Sequence, residues 1–204
     1  TSGLSGNKAD AYRARARVNF EDLTQGRMAG EAGAYIEHKQ AGFSSLDEQV
    51  TDDKTIWGAD ASVNLTQKSV AKVKFDSLHS NDGRREDEGN AQVAVAVTDK
   101  LTITPGAKIS DRKNGGAVLD TSDEGRRTDV GAEVRYAFGE QKSVYGFGQA
   151  TVERSGTRKR NDRIGVGGEA PITDKIGVYG EISTGSLGVG GKAGIDYHPT
   201  ADDH

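Results

Sequence analysis

The chain has no cysteine, only three prolines and a single tryptophan, and no apolar run approaching the roughly 18 residues that a membrane-crossing helix needs. Without cysteine there is no disulfide framework and no thiolate metal site, an absence that suits a compartment where stray thiols would be oxidised. The opening residues, Thr1-Ser2-Gly3-Leu4-Ser5-Gly6, carry neither the basic region nor the apolar stretch of an export signal, so any such signal is expected to lie outside them. Hydrophobic residues make up 33% of the chain, too few for a thick globular core but enough for a sheet with one wet face. With 27 basic against 31 acidic residues and a net charge of −4 there is no cationic excess to recruit nucleic acid. That low net charge, together with apolar residues phased every second position, also argues against disorder.

What the chain does have is 28 glycines and a persistent period of two. Tyr12, Ala14, Ala16, Val18 and Phe20 fall on one face of a first strand, with Arg13, Arg15, Arg17 and Asn19 on the other. Met28 to Ile36 repeats the pattern with Glu31 and Glu37 opposite, and Trp57 to Leu65 and Ala71 to Phe75 follow. Further strands are expected over 91–98, 101–109, 130–138, 144–152, 163–170, 175–183 and 187–197, eleven in all. Pro105-Gly106 predicts a bulge or an edge in the sixth. For 144–152, where Gly146, Gly148 and Ala150 alternate with Tyr145, Phe147 and Gln149, the pattern does not say which face is buried.

The joints alternate as well. Leu65-Thr66-Gln67-Lys68-Ser69, Val97-Thr98-Asp99-Lys100-Leu101 and Ile172-Thr173-Asp174-Lys175-Ile176 are tight turns, whereas 38–54, 77–89 and 110–128 read as long polar loops. The pattern is an antiparallel up-and-down meander with two unlike ends. It predicts an all-β fold closing as a β-barrel of about 11–12 strands, or part of a larger barrel, over residues 11–198. A flexible N-terminal segment, 1–10, and a C-terminal tail or truncated turn, 199–204, flank it.

The segment Asn161-Asp162-Arg163-Ile164-Gly165-Val166-Gly167-Gly168-Glu169, the turn Thr173-Asp174-Lys175, and the runs Gly180 to Gly185 and Gly191 to Tyr197 resemble the barrel strands of Gram-negative outer-membrane proteins. The resemblance implies a bacterial outer-membrane location, with small apolar side chains toward lipid or lipopolysaccharide and charged ones toward the lumen. It implies a passive polar pore, or the membrane anchor of a surface assembly with other subunits or remaining strands as partners. Periodicity alone defines the two faces and not which one meets solvent. A soluble β-barrel or scaffold with the apolar face turned inward, its charged loops contacting a partner, is the alternative.

Candidate lumen-lining charges are Arg13, Arg15, Arg17, Glu31, Glu133, Arg135, Glu169, Glu181, Lys192 and Asp196. The three arginines form either a cationic rail with a spacing of about 7 Å or one half of cross-strand pairs with Glu31 and Glu37. The acidic runs around Asp82 to Glu88 and Asp120 to Glu124 do not follow calcium-loop spacing and read as solvated. The basic cluster Arg154, Arg158, Lys159, Arg160 and Arg163 reads as a surface loop. His38, His79, His198 and His204 are scattered and no serine sits in a nucleophile elbow, so no enzymatic activity, catalytic residue, metal or cofactor is expected.

Overall fold

The computed structural model describes residues 8–44, 50–116, 123–139 and 142–197. The N-terminal residues 1–7, the C-terminal tail expected at 199–204, and His198, His204 and Asp120 lie outside them. Eleven strands follow one another: β1 (Ala11–Asn19), β2 (Gly30–Lys39), β3 (Lys54–Thr66), β4 (Ser69–Ser80), β5 (Arg85–Ala96), β6 (Leu101–Lys113), β7 (Gly125–Gly139), β8 (Lys142–Arg154), β9 (Arg163–Pro171), β10 (Ile176–Gly185) and β11 (Gly188–Tyr197). They form one sheet in sequence order, every neighbouring pair antiparallel. Among the described residues β1 and β11 remain the two edges, and an odd number of strands makes them run in the same direction.

The expected strands are present, but two expected loops are not loops. Residues 77–80 and 85–89 belong to β4 and β5, and the connection between them is only 81–84. Likewise β6 runs on to Lys113 and β7 starts at Gly125, which shortens the expected loop 110–128 to 114–124. Most residues of these strand ends are polar or charged whichever face they take, so an apolar-polar period cannot reveal them, although the ladder continues. The turn after β1 is a short helix, α1 (Phe20–Thr24), whose Glu21 N–H is capped by the Asn19 side chain at 2.9 Å.

Pro105 produces neither a bulge nor an edge. β6 lies in the middle of the sheet, and its register against β5 is the same on both sides of the proline, Gln92 opposite Gly106 and Val95 opposite Ile103. Only the rungs between them drop out, while Pro105 still pairs with Ala132 of β7. Proline lacks one donor, and here the lost donor faces a single neighbour.

Apolar side chains are not withdrawn from the surface as they are in a water-soluble protein. Among the described residues the only buried large apolar side chain is Val50, in the β2–β3 loop, whereas eight polar or charged residues are buried. The apolar face lies open: Val134 is 45% exposed, Val166 59%, Ile182 60% and Val189 77%. In water so broad an apolar surface would be strongly unfavourable, and in hydrocarbon it is solvated. The soluble alternative expects this face to be buried, and among the described residues it is open.

Candidate pore and its mouth

Cross-strand register brings all the expected charges onto the face opposite the apolar one. Arg13, Arg15 and Arg17 stand opposite Glu37, Tyr35 and Gly33 of β2, and Glu31 lies one rung further along. Glu133 and Arg135 of β7, Glu169 of β9, Glu181 of β10 and Lys192 and Asp196 of β11 share that face. Side chains on it reach across an intervening strand: Tyr35 of β2 donates to Asp76 of β4 at 2.7 Å, and Tyr145 of β8 donates to Glu181 of β10 at 2.8 Å. Such bridges require a glycine in between, so that the ring lies flat on the backbone. Gly58 serves Tyr35 and Gly167 serves Tyr145; a Cβ on Gly167 would sit 2.5 Å from the Tyr145 ring.

This resolves β8. Tyr145, Phe147, Gln149 and Thr151 face the polar side, and Val144, Gly146, Gly148 and Ala150 face the apolar side. The rings are not free platforms. The Arg135 guanidinium lies 4.4 Å over Tyr145 and that of Arg163 5.0 Å over Phe147, while each ring's other face rests on glycine.

Most of the charges are paired. Arg17 meets Glu31 at 2.8 Å and Asp60 at 3.6 Å, and Arg13 meets Glu37 at 3.6 Å. Arg135 bridges Glu133 at 3.0 Å and Glu169 at 2.9 Å, and Glu181 takes both Arg163 at 2.8 Å and Lys192 at 3.3 Å. The arginines of β1 are therefore mainly members of cross-strand pairs. Arg15 is the exception: together with Lys72 of β4 it has no partner among the described residues. Over β1 to β4 this face carries seven cations (Arg13, Arg15, Arg17, Lys39, Lys54, Lys72, Lys74) against four carboxylates (Glu31, Glu37, Asp60, Asp76).

Sequence reasoning missed the deepest polar cluster. Arg158, expected on a surface loop, is 3% exposed; it donates to Ser110 Oγ at 2.8 Å and to Asp123 Oδ2 at 3.2 Å. Burial pushes its guanidinium below the ordinary value, an effect that Asp123 opposes. Beside it Arg127 pairs with Asp129 at 2.9 Å, and Asp129, 1% exposed, also accepts from Thr151 at 2.6 Å. No group able to hold a metal ion occurs among the described residues. The acidic run near Glu88 is split by strand alternation, Glu86 and Glu88 on the polar face and Asp87 on the other.

Outer-face aromatics sort into two rows. Tyr12, Trp57 and Phe75 lie toward the long-loop end, where Trp57 and Phe75 pack at 5.1 Å beneath the polar pair Ser77 and Asp87, bonded at 2.6 Å. Tyr136, Phe138 and Tyr197 lie at the tight-turn end. Two rows flanking a band of aliphatic and small residues match the two interfaces of a bilayer.

No family model matches the sequence, and no curated protein does. Among solved structures, a KdgM porin aligns over 93% of this chain and 92% of its own, with a TM-score of 0.55 and 9% identity. A KdgM porin in complex with disordered oligogalacturonate aligns over 95% and 100%, with a TM-score of 0.53 and 12% identity. The fold is that of an outer-membrane β-barrel. The similarity extends over nearly the whole of both porins, so the eleven strands correspond to the main body of such a barrel. An exposed apolar wall, a polar inner face and interfacial aromatic rows are the surface that this fold presents in the outer membrane.

Proposed function

We propose that the chain forms a passive, water-filled pore for polar solutes, with a preference for anions set by the wall of β1 to β4. The observation that supports the pore is the sorting of side chains: charged ones line the face opposite the apolar wall, where an anchor with no transport role would gain from apolar packing. The preference rests on the excess of three cations on that wall and on Arg15 and Lys72, which pair with no carboxylate among the described residues. A low-dielectric wall carrying like charges raises the local concentration of counter-ions. One of the similar porins was solved in complex with disordered oligogalacturonate, a polyanion, and solutes of that chemical kind suit this wall. The paired charges keep the lumen hydrated without binding any one solute tightly.

In planar bilayers with a salt gradient, the reversal potential is expected to report more chloride than potassium permeation. Arg15→Gln combined with Lys72→Gln should lower that permeability ratio by about twofold, most clearly at low salt. Arg17→Gln should change it less, because Glu31 and Asp60 already balance that charge. An unchanged ratio in the double variant would remove the anion preference, and a wild-type protein that inserts without conducting would leave the anchor role.

A further inference from the structure

The connection between β8 and β9, residues 155–162, does not stay above its own hairpin. Gly156, with φ +63, turns the chain against the Glu124 carbonyl, where a side chain would not fit, and Thr157 N–H donates to that carbonyl at 2.9 Å. The loop then lies down on the inner wall. Gln149 Nε2 donates to the Asn161 carbonyl at 2.8 Å, the Asn161 N–H donates to Thr151 Oγ1 at 2.8 Å, and Arg127 reaches the Lys159 carbonyl at 3.3 Å.

From this position Arg158 extends past β8 and β7 to β6. One Nη donates to Ser110 Oγ at 2.8 Å, and the other to the Asp123 carbonyl at 3.1 Å and its Oδ2 at 3.2 Å. β6 and β9 are three strand spacings apart, about 14 Å. Beneath the span Ser110, Arg127, Asp129 and Thr151 are buried, as are the small Ser143 and Ser183 elsewhere on this face, whereas Arg15, Lys72 and Gln92 are exposed. Arg158 Nε is buried with no hydrogen-bond partner, a cost that the side chain accepts while making the span. A bound anion is not needed to explain the cluster. Arg112, Arg127 and Arg158 are matched by Glu86, Asp123 and Asp129.

We propose that residues 155–162 form a strap across the long-loop mouth that sets the size limit of the pore, with Arg158 as the residue that holds it there. This inference rests on the pore reading for its transport consequence, but the strap itself is tested separately. Arg158→Ala and Lys159→Ala each remove one positive charge from the same loop, and only the first releases the bonds to β6 and to Asp123. Arg158→Ala is expected to raise single-channel conductance and to admit larger neutral sugars in liposome swelling, with Lys159→Ala close to wild type.

A second readout does not depend on conduction. In the cysteine-free background, Gln92→Cys reports access to the inner wall, and a bulky impermeant thiol reagent added on the long-loop side should label it several-fold faster when Arg158→Ala is also present. If Arg158→Ala does not assemble, Ser110→Ala with Asp123→Ala removes two of the acceptors and carries the same expectation. Conductance, sugar limit and labelling all equal to those of Lys159→Ala would overturn the strap. A wild-type protein that conducts nothing would overturn the pore and the size limit together, while faster labelling would still place the strap over the mouth.

Discussion

Val166→Arg is expected to destabilise the protein in lipid vesicles by about 2–4 kcal/mol, the cost of an arginine facing lipid near the bilayer midplane. Val166 lies near the middle of β9 on the apolar face, with Gly146 of β8 and Ile182 of β10 as its cross-strand neighbours, and 59% of its surface is open. No carboxylate on that face is in a neighbouring rung to neutralise the charge, and the guanidinium has no water within the band. The comparison is Gln92→Arg, the same new side chain on the opposite face of β5, where Lys72 and Gly106 flank it across the ladder. That variant should change stability by less than about 0.5 kcal/mol, as an exposed substitution into water does. Equilibrium unfolding in vesicles measures both, and equal costs would mean that the two faces do not meet different solvents.

The second large effect lies on the inner wall. Gly167→Ala is expected to cost about 1–3 kcal/mol, the usual range for forcing an extra carbon into a filled site. The new Cβ would fall 2.5 Å from the Tyr145 ring and its hydroxyl and 2.8 Å from the Gly180 carbonyl. The ring cannot yield without breaking its bond to Glu181 and withdrawing the platform under Arg135. Tyr145→Ala in the same chain should recover part of the loss, giving a coupling of at least about 0.5 kcal/mol in a double-mutant cycle. Gly148→Ala, on the apolar face of β8 with open space around it, should be nearly neutral. A Gly167 variant as stable as the Gly148 variant would show that the ring does not lie on the glycine.

These two sites also mark how far the sequence could be read. The alternation of Tyr12 to Phe20 and of Trp57 to Leu65 fixes both the strands and the partition of charges such as Arg17 and Glu31, because strand period is a local property. β8 could not be oriented from its own residues. Its inward face carries Tyr145 and Phe147, and rings on a wet wall make sense only once Gly165 and Gly167 of β9 are placed beneath them. The polar strand ends were invisible for a related reason: from Arg85 to Glu88 both faces are charged, so no period exists to detect. Arg158 was the largest omission. A basic loop residue looks the same whether it points into solvent or across a mouth, and its partners Ser110 and Asp123 lie 48 and 35 residues away.

Of the two readings of the β1 arginines, pairing with Glu31 and Glu37 is what the register produces for Arg17 and Arg13, because those carboxylates sit on the adjacent strand at ion-pair range. Arg15 escapes because its cross-strand neighbour is Tyr35, whose hydroxyl is already committed to Asp76. Local charge content left both a rail and pairing open, and register decided between them position by position.

The central claim is that one face of this sheet meets hydrocarbon and the other meets water. It is tested most directly by single-cysteine labelling along β8 and β9 in reconstituted vesicles, where the absence of native cysteine leaves no background. Cysteines placed in turn at positions 144 to 150 and at 163, 164, 166 and 169 are exposed to a small, membrane-impermeant thiol reagent. Labelling is expected at 145, 147, 149, 163 and 169 and protection at 144, 146, 148, 150, 164 and 166. The reverse alternation, or uniform labelling of both sets, would contradict a lipid-facing apolar wall and a watered interior.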